Sequence, residues 1–190
     1  DLRPAGEIRA DLGLDRDRPA VLMQLGAGQV NDVGSLSAGV VVALRRHPEV
    51  QIVVTESVLT RTPAALPEDV HRLRHFPIGE YRNAFDASVM AAGYNSFHES
   101  MSLGLPTLFI PNIGTAKDDQ DARARWAEAA GTGLRWDETT GDSDDLQAAI
   151  DQLVDPARQE ALRTKMAELP TADGAREIAE ALVGWGHEAV

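Results

Sequence analysis

Short apolar runs alternate with longer stretches of helical periodicity along most of this chain. Residues 19–25, 50–55, 87–92 and 107–110 are apolar runs of strand length, and 50–55 is dominated by β-branched side chains. Residues 70–76 and 133–136 read as two further strands. Between them, 33–46 carries apolar residues at helical spacing and closes on Arg45, Arg46 and His47, cations suited to a helix C-terminus. Helices are also expected at 80–85, 96–103, 119–130, 144–169 and 173–185. A polar, proline-containing connection fills 59–68, and 111–117 reads as a loop. Residues 3–14 read as a linker and short helix, with Pro4 near its start.

Strands that alternate with helices at this spacing specify a parallel sheet covered on both faces. The expected fold is α/β: a Rossmann-like, doubly wound, three-layer α/β/α domain over 19–190, after a linker and helix at 1–18. There is no internal repeat and no low-complexity tract. Ligands of such sheets bind outside the carboxyl ends of the strands. The turns at Gly26, Pro77, Gly93 and Pro111 all follow strands, so they are expected to meet on one rim.

The most informative segment is Gly93-Tyr94-Asn95-Ser96-Phe97-His98-Glu99-Ser100. It follows one apolar run and precedes another, so a strand delivers the chain to a glycine turn and a short helix opens at Asn95 or Ser96. Both residue types cap helices through side-chain oxygens that accept first-turn amides. Gly104 then ends the helix, and Leu105-Pro106 leads into the next strand. A helix start offers unpaired amides and partial positive charge, a seat for phosphate. Glu99 lies about one turn further in. A carboxylate there is badly placed for phosphate but well placed to accept hydrogen bonds from neighbouring ribose hydroxyls. Together they point to a nucleoside diphosphate compound rather than free phosphate.

Length and composition agree with an ordinary globular domain: 190 residues, 43% hydrophobic and 25% charged. No apolar stretch approaches the roughly 18 residues that span a bilayer, and no signal peptide is evident, so a cytoplasmic protein without a transmembrane segment is expected. The chain starts at Asp1 rather than Met, as a piece of a longer protein would. The absence of cysteine excludes disulfides, thiolate metal sites and cysteine nucleophiles. A net charge of −12 argues against a nucleic-acid or anionic-membrane binder. An anionic ligand remains compatible where backbone amides supply the local positive potential.

Other constellations carry less. Gly26-Ala27-Gly28 invites a dinucleotide fingerprint, but Asn31 stands where a third small residue is needed, and Glu56 falls too late to be its ribose acid. That turn either brings backbone close to a ligand or is a tight strand-to-helix connection. Asp119 and Gln120 at a helix start either cap it or grip sugar hydroxyls. Ser96, His98 and Glu99 have the residue types of a triad, but neighbours two and three apart on one helix cannot line up as nucleophile, base and orienter. His71 and His75 lack a third metal ligand. Trp126 and Trp185 read as helix packing residues.

The run 87–120 resembles the donor-sugar signature of inverting glycosyltransferases with the two-domain GT-B architecture. Gly93-Tyr94-Asn95-Ser96 with Glu99-Ser100 is similar to the Gly-Trp-Asn-Ser and Glu-Ser core of plant natural-product glycosyltransferases. Leu103-Gly104-Leu105-Pro106 and Asp119-Gln120 match the elements that follow it. The wider layout, 19–185, resembles the C-terminal half of glycosyltransferase family 28, typified by the bacterial transferase that adds N-acetylglucosamine to the muramyl lipid intermediate. The fold this implies is one half of a GT-B enzyme.

The resemblance implies specific roles. Gly93 and the backbone around Asn95, Ser96 and Phe97 would hold the donor diphosphate, and Glu99 the ribose. His75, Phe76 and Pro77 would edge the nucleobase, and Asp119 and Gln120 would hold the donor sugar. The turn with Gly26, Gly28, Gln29 and Asn31 would line the cleft. The ligand would be UDP or a UDP-sugar, with no cofactor or metal. The catalytic base and acceptor site would come from an N-terminal domain outside this chain, leaving this part inactive alone. Two departures stand out: Ala91 replaces the phosphate-binding histidine of the plant signature, and the loop before Asp119 is longer. A nucleotide-sugar 2-epimerase of the same architecture, a non-catalytic nucleotide-sugar module and a nicotinamide-dependent enzyme are the alternatives.

Overall fold

The computed structural model describes residues 3–26, 33–56, 66–75, 78–113, 118–170 and 174–188. Six strands form one parallel sheet: β1 (Ala20–Gln24), β2 (Gln51–Thr55), β3 (Val70–Leu73), β4 (Ala87–Met90), β5 (Thr107–Phe109) and β6 (Leu134–Arg135). Their order is β3-β2-β1-β4-β5-β6. Seven α-helices accompany them among the described residues: α1 (Ala5–Asp11), α2 (Val33–Leu44), α3 (Tyr94–Leu103), α4 (Gln120–Ala130), α5 (Ser143–Val154), α6 (Pro156–Ala167) and α7 (Gly174–Glu188).

Alternation along the strands builds the three layers. On β1, Val21 and Met23 join a core with Val40, Leu44, Leu146, Ile150 and Leu162, so α2, α5 and α6 cover that face. Ala20 and Leu22 point the other way, to Ile8, Leu73, Phe85, Met90 and Leu105. Successive strand residues face opposite sides, so a strand covered on both must be apolar throughout. That is why these runs show no polar alternation.

Both β2 and β4 flank β1 in register, with Ala20 opposite Gln51 and Gln24 opposite Met90. After β1 the chain winds outward to β2 and β3; after β4 it winds the other way to β5 and β6. The order therefore reverses between β1 and β4, and a crevice opens at their carboxyl ends.

At the opposite, amino end, α1 is bolted to the sheet. Arg9 Nη2 pairs with Asp86 Oδ2 at 2.7 Å, and the same oxygen accepts the Ala20 amide at 2.8 Å. Ile8 is fully buried beneath them.

Most element ends shift by one to three residues from the sequence expectation, and three of the differences matter to the topology or the site. The helix expected over 144–169 is two helices, because Asp155 takes an extended conformation and caps the second, accepting the Ala157 amide at 3.0 Å. Pro156 then occupies the first helical position, where its missing amide costs nothing. The third strand stops at Leu73 rather than continuing to 76. The helix expected from Ser96 starts at Tyr94 with Gly93 as its N-cap, and no side chain caps it. Asn95 and Ser96 thus lie inside the first turn and do not serve as caps.

Candidate functional site

At the crevice between β1 and β4, the chain leaving β4 leads directly into α3. Met90 ends β4, Ala91 and Ala92 follow, and Gly93 turns the chain with φ −61° and ψ 147° into the helix. The first intrahelical bond runs from the Phe97 amide to the Gly93 carbonyl at 2.9 Å. The amides of Tyr94, Asn95 and Ser96 therefore precede the hydrogen-bond ladder, where a helix leaves its donors unpaired. The amides left outside the ladder thus begin one residue before those expected at Asn95, Ser96 and Phe97. Phe97 contributes no free amide, and its ring is buried against Phe109 at 5.2 Å between centroids. The ring anchors the helix, and the Phe97 amide, expected to hold diphosphate, is engaged within the helix.

Behind this turn, Gly104 closes α3 with φ 62°, and its amide and that of Leu105 return to the carbonyls of Met101 and Ser100. A positive φ at a helix end strains any residue with a Cβ, so glycine is the fitting choice.

Glu99 sits one turn inside α3, its side chain 47% exposed. Its Oε2 lies 3.0 Å from Nη2 of Arg82, whose own side chain is 1% exposed. Arg82 belongs to the 3-10 helix Ile78–Ala84, which carries the chain from β3 back under α3. Its Nη1 donates to the Ser96 carbonyl at 3.2 Å and to Ser100 Oγ at 3.1 Å, and Nη2 donates to Gln24 Oε1 at 3.2 Å. Burial pushes the Arg82 guanidinium below its ordinary pKa, and the Glu99 carboxylate opposes the shift. One cation thus joins the end of β1, the first turn of α3 and Glu99.

Opposite α3 stands the start of α4. Asp119 is its N-cap and accepts the Ala122 amide at 3.0 Å. Gln120 Oε1 accepts the Asn112 amide at 2.9 Å, which ties α4 to the chain leaving β5. Both residues expected to hold a sugar therefore also hold the backbone at this rim. Arg123 joins the two helix starts: its Nε donates to the Ala92 carbonyl at 2.7 Å, and its Nη2 pairs with Asp118.

The remaining expected residues distribute as follows. His75 follows the end of β3, its ring tilted against Tyr81 at 4.5 Å and its Nε2 3.7 Å from Glu80 Oε2. Gly26 takes φ 98° directly beyond β1, where the turn needs a residue without Cβ. Gly28, Gln29, Asn31, Phe76 and Pro77 lie outside the described residues. Glu56 pairs with Arg72 and, at 3.5 Å, with Arg74. Trp126 packs edge-on to Phe97 at 6.1 Å while remaining half exposed. Among the described residues, no three His, Asp or Glu side chains converge as metal ligands, and no helix is long and apolar enough to cross a membrane.

The sequence does not single out three residues here: Gln24, Arg82 and Arg123. A single arginine in a short helix reads as a surface cation, because periodicity does not reveal which cation is buried. The available clue was Glu99 itself, since a buried guanidinium needs a carboxylate partner.

The sequence matches the family described as erythromycin biosynthesis protein CIII-like, C-terminal domain, over residues 28–184. No curated protein matches it. The fold is shared with solved glycosyltransferase structures. SsfS6 from Streptomyces sp. SF2575 is 25% identical with a TM-score of 0.54, over 87% of this chain and 41% of that one. The spinosyn rhamnosyltransferase SpnG complexed with thymidine diphosphate is 22% identical with a TM-score of 0.66, over 86% and 45%. The calicheamicin glycosyltransferase CalG4 is 18% identical with a TM-score of 0.69, over 93% and 46%. This chain spans less than half the length of each. With most of its own length matched, the chain belongs to the erythromycin biosynthesis protein CIII-like C-terminal domain family, and its architecture is that of the C-terminal half of a GT-B glycosyltransferase.

Proposed function

We propose that this chain is the donor-binding half of a cytoplasmic glycosyltransferase that transfers a sugar from a nucleoside diphosphate sugar to an acceptor with inversion. The observation that carries the reading is the start of α3. Its unpaired first-turn amides open at the β1–β4 switch point, with Glu99 held one turn behind them. The amides of Tyr94, Asn95 and Ser96 receive the diphosphate, and Glu99 accepts from the pentose. His75 and the residues after it edge the base, and Asp119 and Gln120 face the sugar. The turn from Gly26 to Asn31 lines the cleft towards the acceptor.

Negative charge grows on the leaving diphosphate as the sugar–oxygen bond breaks. Amides already aimed at that charge stabilise it without reorganising. A partly buried helix terminus supplies up to about 2 kcal/mol, which is short of enzymatic catalysis. The base and acceptor site therefore belong to a second domain outside this chain. The reading assigns the diphosphate charge to backbone amides rather than to a metal ion or cofactor.

Uracil is the base expected from the motif, and thymine enters because structural neighbours were solved with thymidine diphosphate. Calorimetric titration with UDP, thymidine diphosphate and their sugars, each with and without EDTA, separates these. Binding of one diphosphate, unchanged by EDTA, is expected. At 100 times its dissociation constant, that ligand raises stability by about 2.7 kcal/mol. No binding of any nucleoside diphosphate overturns the reading. Sugar transfer by the 190 residues alone overturns its division between two domains.

A further inference from the structure

We infer that Arg82 is a positioning residue for the pentose: it fixes the Glu99 carboxylate in the orientation that receives the sugar hydroxyl. The inference rests on the donor-binding reading and adds to it a buried device that the motif does not contain.

The geometry makes Arg82 a poor candidate for simple packing and a good one for aiming. Its guanidinium is almost wholly buried, yet among the described residues only one of its partners is charged, the half-exposed Glu99 at the rim. The other partners are neutral: the Ser96 carbonyl, Ser100 Oγ, Gln24 Oε1 and Met90 Sδ. These fix the plane of the guanidinium from three elements, so the side chain that makes the ion pair cannot follow Glu99 as it moves. Glu99 must come to Arg82. A glutamate free on a helix surface samples several rotamers, and ordering it on binding costs free energy. Here that ordering is done in advance. Arg82 takes Oε2 at 3.0 Å, and among the described residues no hydrogen bond reaches Oε1, the oxygen available to a hydroxyl donor.

Gly79 adds a second constraint on the same carboxylate. A Cβ built on Gly79 would lie 3.7 Å from Glu99 Oε2 and 3.8 Å from Oε1, so the backbone of the 3-10 helix forms the wall beside it. Wall and cation come from the same seven-residue segment.

The test is titration of UDP and thymidine diphosphate against their 2′,3′-dideoxy counterparts, on the wild type and on Arg82→Met, Arg82→Lys, Glu99→Gln and the Arg82→Met/Glu99→Gln double variant. The wild type is expected to favour the hydroxyl-bearing ligand. Arg82→Met is expected to weaken that ligand about tenfold, equivalent to about 1.4 kcal/mol, and to leave the dideoxy ligand nearly unchanged. Adding it to Glu99→Gln is expected to bring no further loss. Equal weakening of both ligands means Arg82 only supports the fold, and overturns the inference. Glu99→Asp supplies the same readout should Arg82→Met not fold, since its carboxylate is one methylene short of Arg82 on a half-exposed position. Full hydroxyl discrimination in Glu99→Asp overturns the inference. If Glu99→Gln keeps that discrimination, the ribose assignment fails while diphosphate binding stands. If the wild type binds no nucleotide, the donor reading itself fails.

Discussion

Arg123 and Ala92 are joined by a 2.7 Å hydrogen bond from Nε to the carbonyl oxygen, and this bond fastens the start of α4 to the chain leaving β4. Asp118 holds the other end of the guanidinium, so the start of α4 and the chain leading into α3 share one cation.

Replacing that cation is therefore expected to act on both stability and ligand choice. In Arg123→Leu the buried Ala92 carbonyl loses its arginine donor, a change that costs about 1–3 kcal/mol. Denaturant unfolding measures it. On the proposed reading, with the diphosphate at the start of α3 and the sugar at α4, affinity for the nucleoside diphosphate is expected to fall less than affinity for the corresponding nucleotide sugar. Equal loss for both ligands means α4 does not face the sugar.

Acid stability has a definite contributor in Asp137. Thr139 Oγ1 donates to its Oδ1 at 2.7 Å, the Thr139 amide does so at 2.9 Å, and Arg135 Nη2 donates to its Oδ2 at 2.8 Å. These donors, Thr139 first, hold the carboxyl below its ordinary value of 3.8. A depressed folded pKa gives stability that is fully present above the unfolded value and is lost as the pH falls through the folded one. The melting-temperature gap between wild type and Asp137→Asn is therefore expected to stay constant near neutrality and to shrink below pH 3.8. A gap that does not change with pH removes Asp137 from the acid response.

Nearby, Gly141 is expected to tolerate no side chain. A Cβ there would lie 2.4 Å from Trp136 Nε1 and 3.1 Å from the Asp137 carbonyl oxygen, and backbone cannot yield as a flexible side chain can. Gly141→Ala is expected to lose about 1–3 kcal/mol from overpacking, read as a lower melting temperature. Unaltered melting means that the turn after β6 can shift to make room.

The fold was legible because strands buried on both faces cannot alternate, and runs such as 19–25 and 87–92 announce such strands directly. Helix ends were less so. Asp155-Pro156 carries a stop and a start in two adjacent residues, and periodicity either side of it reads as one helix. The site divides in the same way. Gly93, Asn95, Ser96 and Glu99 stand in one contiguous motif whose chemistry follows from a helix start. Gln24, Arg82 and Arg123 reach the rim from three separate elements, and their convergence exists only once the sheet has formed. The cap was misplaced for a local reason: Asn95 and Ser96 favour capping, but Gly93 meets the turn first and extends the helix back to Tyr94.

That earlier start makes Tyr94 a backbone probe of the diphosphate seat. Proline at the first helical position removes only an amide that the helix does not use. Gly93 at φ −61° and ψ 147° already satisfies the restriction proline places on its predecessor. Tyr94 is 64% exposed, so loss of its side chain empties no core space. Tyr94→Pro is thus expected to change stability by no more than about 0.5 kcal/mol. Its amide, however, is one of the three that the proposed function assigns to the diphosphate. A hydrogen bond to a charged group is worth about 1.5–3 kcal/mol, so UDP affinity is expected to drop at least about tenfold, while uridine, which has no phosphate, is unaffected. Tyr94→Ala, which keeps the amide and also loses the ring contact with His98, is the control and is expected to bind UDP as the wild type does. Should both variants bind UDP equally, the diphosphate does not rest on the first amide of α3. Should both lose it equally, the ring and not the amide makes the contact.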